Sequence, residues 1–302
     1  MDSSQNNTIN PIELLTIILN KKILISSITF LFMIFSILIA LYMPNLYTSK
    51  SILAPPSEES SLTSKLGSFA SIANLGGINM QSMTTSKNQE AIERIKSFQF
   101  FSKYFLPNIK LEDIFAVERW VLDENKLIYD NKLFDANKNE WVRKVKYPKK
   151  KKPSAQEAYK RYSKIISINE DKQTSFITIS VDHHSPIVAK EWVDLIIYQI
   201  NESMRTYDIE TAKNSISYLN NEYQNTNIQS IKEAIASLLE NQMQTLMLAT
   251  SNEAYIFKVI DSAFIPEEKS RPNRILIVFL GTFLGALFSL TIVLFQYYKR
   301  AL

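Results

Sequence analysis

Apolar positions fall along this chain in two distinct patterns. Near each end lies an unbroken run without a single charge: residues 23–43, ILISSITFLFMIFSILIALYM, and residues 275–295, ILIVFLGTFLGALFSLTIVLF. As helices rising ~1.5 Å per residue, both runs match the ~30 Å hydrocarbon core of a bilayer, and both are expected to be transmembrane helices. Between them the apolar positions recur at spacings of two, or of three and four. These are the periods of half-buried strands and of amphipathic helices.

Three strand signals stand out. YTSKSILA, residues 47–54, is rich in strand formers and stops at Pro55 and Pro56. SFITISVDHHSP alternates Ile177, Ile179 and Val181 against Thr178 and Ser180, and NEAYIFKVIDSAFIP ends at Pro266. Helix signals lie between. Asn10, Pro11 and Glu13 open a short N-terminal helix; Ser86 and Gln89 form a capping box for a helix carrying Ile92, Ile95, Phe98 and Phe101 up to Pro107. Ser154 and Glu157 cap another, running to Ile166. Residues 57–86 are serine-rich, contain Gly67, Gly76 and Gly77, and read as a mobile loop or short helix, while residues 108–146 show no clear period.

The longest helical signal begins at the Ser185 N-cap and Pro186 and extends to about residue 249. Val193, Ile196, Ile200, Met204 and Tyr207 mark a narrow stripe. It shifts phase to Ala212, Ile216, Leu219 and Tyr223, and again to Ile228, Ile231, Ile235 and Leu238. The three-and-four spacing is coiled-coil-like and makes this an oligomer or rod packing stripe. A continuous helix of this length extends roughly 95 Å. The cluster NNEYQNTN, residues 220–227, is instead a candidate bend or hairpin tip. The fold class expected is α+β: a mixed-sheet base domain bearing a long extended helix or helical hairpin, anchored by two transmembrane helices.

Charge orients the anchors. Lys21 and Lys22 precede the first run and Lys299 and Arg300 follow the second, so residues 1–22 and the tail 296–302 are expected in the cytoplasm and residues 44–274 on the outer side. Arg271 and Arg274 pull the other way but belong to a long translocated segment, where this bias counts for little. The first run is too long for a signal-peptide core, and LYMPNLY offers no small-residue cleavage pattern. The chain has no cysteine, which removes disulfide and thiolate chemistry, and its formal net charge of +4 is too small to argue for nucleic acid.

Of only five glycines, Gly281 and Gly285 lie four apart inside the second run, and Ser289 continues the row. Each glycine weakens a helix by roughly 1 kcal/mol relative to alanine, so the row is read as a contact face for close helix packing, within the chain or between molecules. YPKKKKP, residues 147–153, is a four-lysine run between prolines: an anion-binding loop for acidic glycans or headgroups, or, the favoured reading, a solvated tip. His183 and His184 are neighbours that point to opposite faces of an extended chain, a poor arrangement for one metal ion and a natural one for a surface turn. No phosphate loop, nucleophile elbow or zinc-protease motif occurs, and neither run carries a charge for an ion pathway. No catalytic residue, metal or cofactor is expected.

The layout resembles the bacterial polysaccharide co-polymerases, or chain-length determinant proteins. The segments that carry the likeness are IELLTIILNKKILI, LYMPNLYTSKSILAP, VDHHSPIVAKEWVDLIIYQI and SNEAYIFKVIDSAFIPEEKSRPNRILIVFLGTFLG. The family's proline-rich lead-in to its second span is represented by Pro266 and Pro272, with the closely spaced prolines thinned to PEEKSRPNR. The resemblance implies a non-enzymatic inner-membrane protein with both termini cytoplasmic and a periplasmic central domain. It further implies a homo-oligomer that works with a membrane polysaccharide polymerase and sets the length of a lipid-linked glycan such as O-antigen in lipopolysaccharide biosynthesis. Two other functions remain open: an adaptor that activates a separate tyrosine kinase in capsule or exopolysaccharide export, for which QYYKRAL is a short tail, and an anchored extracytoplasmic sensor or enzyme.

Overall fold

The computed structural model describes residues 21–55 and 80–301. The expected N-terminal helix and the serine-rich segment up to residue 79, with Gly67, Gly76 and Gly77, lie outside the described residues. In chain order the main elements are helix α1 (Lys22–Tyr42), strand β1 (Tyr47–Ala54) and helix α2 (Met80–Lys96). Short helical turns follow over residues 98–108, then a one-turn helix (Leu111–Phe115). Two small antiparallel pairs come next, β2 (Val117–Val121) with β3 (Lys126–Tyr129) and β4 (Phe134–Asp135) with β5 (Glu140–Trp141). Helix α3 (Ala155–Ile165) leads into β6 (Ile166–Glu170) and β7 (Ile177–His183). The chain then forms α4 (Pro186–Asn225), α5 (Gln229–Ser251), β8 (Lys258–Asp261) and α6 (Arg274–Ala301).

The described residues form two compact units, one within residues 46–268 and one from residues 21–45 and 269–301. The larger unit is built on a four-stranded sheet in the order β6-β7-β1-β8. All three pairings are antiparallel, so the base is α+β as expected but its sheet is not mixed. The expected strand alternation holds in β7: Ile177, Ile179, Val181 and His183 are buried while the residues between them are half-buried. In β1, Leu53 shares the buried side with Ser49 and Ser51. Those two serines would be costly there unpaired, but each hydroxyl donates to a carbonyl, that of Phe264 at 2.7 Å and that of Asp261 at 2.6 Å. They thereby hold the segment after α5 onto the central strand.

Helix α4 packs across β1 and β7 through Val193, Ile196 and Ile200, all fully buried. Its Ser185 cap, with the hydroxyl accepting from Val188 N, and its Pro186 first turn are as the sequence indicates. The capping box of Ser154 and Glu157 is also formed. Helix α2, by contrast, begins at Met80, ahead of Ser86. An aromatic cluster closes the other side of the core. Tyr162 stands with its ring centroid 4.9 Å from both Phe101 and Phe105, and Trp192 meets Phe105 at 5.5 Å. The Tyr162 hydroxyl donates to the Ile95 carbonyl at 2.9 Å and ties α3 to α2.

Of the two arrangements open for residues 186–249, one continuous helix or a helical hairpin, the structure takes the second, with two helices. The break falls at residues 226–228, at the end of the asparagine-rich cluster, where Thr226 and Ile228 both take extended backbone. Asparagine and threonine side chains compete with the helix for backbone hydrogen bonds, which explains why the chain turns here. α5 then runs back along α4, and Tyr255, Ile256 and Phe257 return to the level of residues 201–208. The result is a helical hairpin. The strand β6 and both small sheets have no counterpart in the sequence expectations.

Candidate functional site

The smaller unit is the antiparallel pair α1 and α6. The row of small residues on α6 faces α1 of the same chain: Gly285, Ser289 and Val293 are buried, and on α1 Ser36 and Ala40 are buried opposite. The approach is so close that a Cβ placed on Gly281 would lie 2.4 Å from Ser36 Cβ, and one on Gly285 2.5 Å from Phe32 Cβ. Any side chain would therefore force the helices apart, which is the physical reason for glycine at both positions. Ser289 donates its hydroxyl to the Ala286 carbonyl at 2.8 Å, so it adds no polar group to the interface. Phe32 and Phe288 meet with centroids 5.6 Å apart. The opposite faces are exposed and apolar: Phe35, Leu31, Phe279, Phe283 and Phe295 are all more than half exposed. Helices of 21 and 28 residues with this exposure are long and apolar enough to cross a membrane, and unlike the core helices of a water-soluble fold they are little buried. Of the two expected membrane-proximal prolines, Pro266 is buried in the larger unit and Pro272 lies in the lead-in to α6.

The proposed packing stripe divides where α4 leaves the sheet. Val193, Ile196, Ile200 and Met204 are core residues, at most 2% exposed, so they are not available to a second subunit. Their periodicity registers burial against the sheet instead. Farther along, Ile216 and Leu219 are half-buried in the hairpin, while Tyr207 and Tyr223 are exposed and carry the cations of Arg94 and Lys232 on their rings.

Two polar clusters fix the base of the hairpin, and sequence reasoning did not find them. Asn201 is buried among the stripe residues and makes four hydrogen bonds. Its Oδ1 accepts from the backbone N–H of Ile256 at 2.8 Å and of Phe257 at 2.9 Å, and its Nδ2 donates to the carbonyls of Ile197 and Phe257, each at 3.1 Å. The second cluster joins three elements: Lys87 of α2 donates to Asp208 of α4 at 2.8 Å and to the Tyr255 hydroxyl at 3.0 Å, and that hydroxyl donates to Asp208 at 2.5 Å. Burial opposes charge on Lys87, but the bonds to Asp208 and Tyr255 outweigh it and raise its pKa. The signal for Asn201 was present in the sequence as an amide on an otherwise apolar face.

His183 is a core residue, not a surface turn. It lies 4.8 Å from Trp192 by ring centroids; Ser185 N donates to its Nδ1 at 3.0 Å, which leaves the proton on Nε2 to bond the Asp113 carbonyl at 2.9 Å. Burial lowers its pKa; burial, with repulsion from His183 and Arg161, takes His184 down to about 4. Among the described residues no cluster of His, Cys, Asp or Glu side chains is arranged to hold a metal ion. Arg143, from the stretch without a readable period, is buried and clamps the four-lysine segment. Its guanidinium donates to Glu157 at 2.7 and 2.9 Å and to the carbonyls of Lys150 and Lys151 at 2.7 and 2.6 Å. The hydrogen bonds from Arg143 hold the Glu157 carboxyl down at about 2.

Against known families, residues 7–106 match the chain length determinant protein family, and residues 224–298 match the family described as "G-rich domain on putative tyrosine kinase". No curated protein matches. Among solved structures, a full-length bacterial polysaccharide co-polymerase is similar over 97% of this chain and 99% of its own, at 12% identity and a TM-score of 0.40. A fragment of WzzB, a polysaccharide co-polymerase from Salmonella Typhimurium, is similar over 75% of this chain and all of its own, at 11% identity and a TM-score of 0.29. The likeness to the chain length determinant family rests on residues 7–106, about a third of the chain.

Proposed function

We propose that the protein sets the length of a lipid-linked surface polysaccharide, O-antigen or a related glycan, by acting as an oligomeric scaffold for the membrane polymerase that extends it. In this reading α1 and α6 cross the bacterial inner membrane, both termini are cytoplasmic, residues 44–274 are periplasmic, and the chain itself makes and breaks no bond. The observation that carries it is the pair of apolar helices, closed on each other by Ser36, Gly281 and Gly285 and apolar outside, in a chain whose first third matches the chain length determinant family. The hairpin of α4 and α5 supplies an extended arm with exposed Ile231, Leu238, Met243 and Met247 for contact with sister subunits.

The test is to compare glycan ladders on gels from cells with and without the protein: a clustered length is expected to become a broad distribution, and an unaltered ladder contradicts the reading. Because the chain has no native cysteine, single cysteines placed at Tyr147 and at Ser3 are clean reporters of sidedness. Labelling of Tyr147→Cys but not Ser3→Cys by an impermeant maleimide on spheroplasts is expected.

A second reading is favoured by the match over residues 224–298 to a domain described on tyrosine kinases. There the protein is a membrane adaptor that activates a separate kinase. Loss of tyrosine phosphorylation in the deletion strain, with glycan lengths unchanged, would support it over the first.

A further inference from the structure

The segment WVRKVKYPKKKKP, residues 141–153, carries Arg143, Lys144, Lys146 and the four lysines 149–152 with no acidic residue among them. As a free tip it would relieve its self-repulsion by spreading. It is clamped instead: buried Arg143 donates to the carbonyls of Lys150 and Lys151 and is neutralised by Glu157 underneath. The lysine side chains are left outside and exposed, with Lys149 3.9 Å from Glu157 the nearest to an acid. A fixed backbone carrying a run of like charges that the single carboxylate of Glu157 does not balance is pre-organised for a polyanion.

Beside this segment opens a cleft of about 610 Å³, whose lining includes Trp141, Phe134, Leu106, Asn139, Lys152 and Glu112. Trp141 is half-buried, braced by Phe134 at 5.1 Å and Phe115 at 5.9 Å between ring centroids. A braced aromatic face, an exposed amide and a cation at one rim make a combination suited to a sugar ring that bears an acidic group. The ring's apolar face lies on the indole, Asn139 bonds a hydroxyl, and Lys152 meets the carboxylate or phosphate.

We infer that this cleft and its lysine rim bind a segment of an acidic polysaccharide, with uronate or phosphate groups spaced along the 149–152 segment. This rests on the proposed function for the polymer's presence, but its test does not depend on length control. The full-length protein in uncharged detergent is titrated with hexagalacturonate, with size-matched neutral maltohexaose, and with vesicles containing phosphatidylglycerol. Binding is followed by tryptophan fluorescence and calorimetry. Saturable binding of hexagalacturonate is expected, at least tenfold tighter than of maltohexaose and weakened about tenfold between 50 and 300 mM salt, as several screened ion pairs require. The variant in which Lys149, Lys150, Lys151 and Lys152 are all changed to Gln is expected to lose this advantage, and Trp141→Ala to weaken both sugars. Because these lysines are exposed, the quadruple variant should keep its melting temperature; if it does not, Lys152→Gln alone is measured. Equal binding of the neutral hexasaccharide, unchanged binding by the lysine variants, or capture of the anionic vesicles without hexagalacturonate would each overturn the inference. Failure here with glycan length still altered in the deletion strain leaves the proposed function standing and removes only this site.

Discussion

Replacing Asn201 tests how the hairpin is held to the sheet. Asn201→Leu keeps the number and branching of the side-chain heavy atoms while replacing both polar ones with methyl groups, so its effect includes no cavity. Three backbone groups depend on that amide alone or in part: the N–H groups of Ile256 and Phe257 and the carbonyl of Phe257, in residues that are 2% and 0% exposed. A buried backbone group left without a partner costs about 1–3 kcal/mol, and relaxation with water entry recovers part of this, so a net loss of about 3 kcal/mol is expected. For a unit of this size that lowers the melting temperature by about 6–12 °C. Hydrogen exchange localises the effect. Amides in peptides spanning residues 252–261 should exchange about a hundredfold faster in the variant, while those of β7 should change far less. Thermal unfolding followed by the fluorescence of Trp192, which is buried in the same core, provides the global readout. An unchanged melting temperature together with unchanged exchange at residues 256 and 257 would refute the claim that Asn201 is the pin.

Gly281→Leu with Gly285→Leu should separate α1 from α6 and shift the glycan length distribution; an unchanged ladder would count against a functional role for that contact. Glu157→Gln removes the counter-charge of buried Arg143 and is expected to destabilise the protein by about 3 kcal/mol by thermal unfolding. In the unaltered protein the same pair gives acid sensitivity with a defined sign. The folded pKa of Glu157 is depressed, so its stabilisation is complete above its ordinary 4.5 and is lost as pH falls toward about 2. His183 and His184 act at higher pH: both are held below the ordinary 6.5, so stability should decline as pH drops from there toward about 4, and His184→Gln should flatten that part of the profile in a pH series of melting curves.

Much of the frame was legible because it rests on period and composition. The apolar runs of α1 and α6, the alternation in β7, the Ser154 and Ser185 caps and the short β1 before Pro55 all follow from local rules. The stripe on α4 was legible but what it packs against was not, because Val193 to Met204 facing a sheet and the same spacing facing another subunit give one periodicity. Only the position of the sheet distinguishes them. His183 was misplaced for a related reason: alternation puts it on the buried side with Ile177, Ile179 and Val181, but a histidine next to a turn was read by its polarity. Residues 108–146 fold into a one-turn helix and strands of two to five residues joined by turns, too short for any period to show. The partners of Arg143 and Asn201 are 7–14 and 55–56 residues away, apart from the one-turn contact of Asn201 with Ile197, and no local pattern encodes such pairings.

The most direct measurement is a mass balance on the polysaccharide itself: total repeat units and their distribution over chain lengths, in cells lacking the protein and in cells with it restored. A length regulator that does no chemistry predicts that polymer is still made in its absence, in comparable total amount, with the preferred length gone and regained on restoration. Disappearance of the polymer altogether, or a preferred length that persists without the protein, would contradict the account.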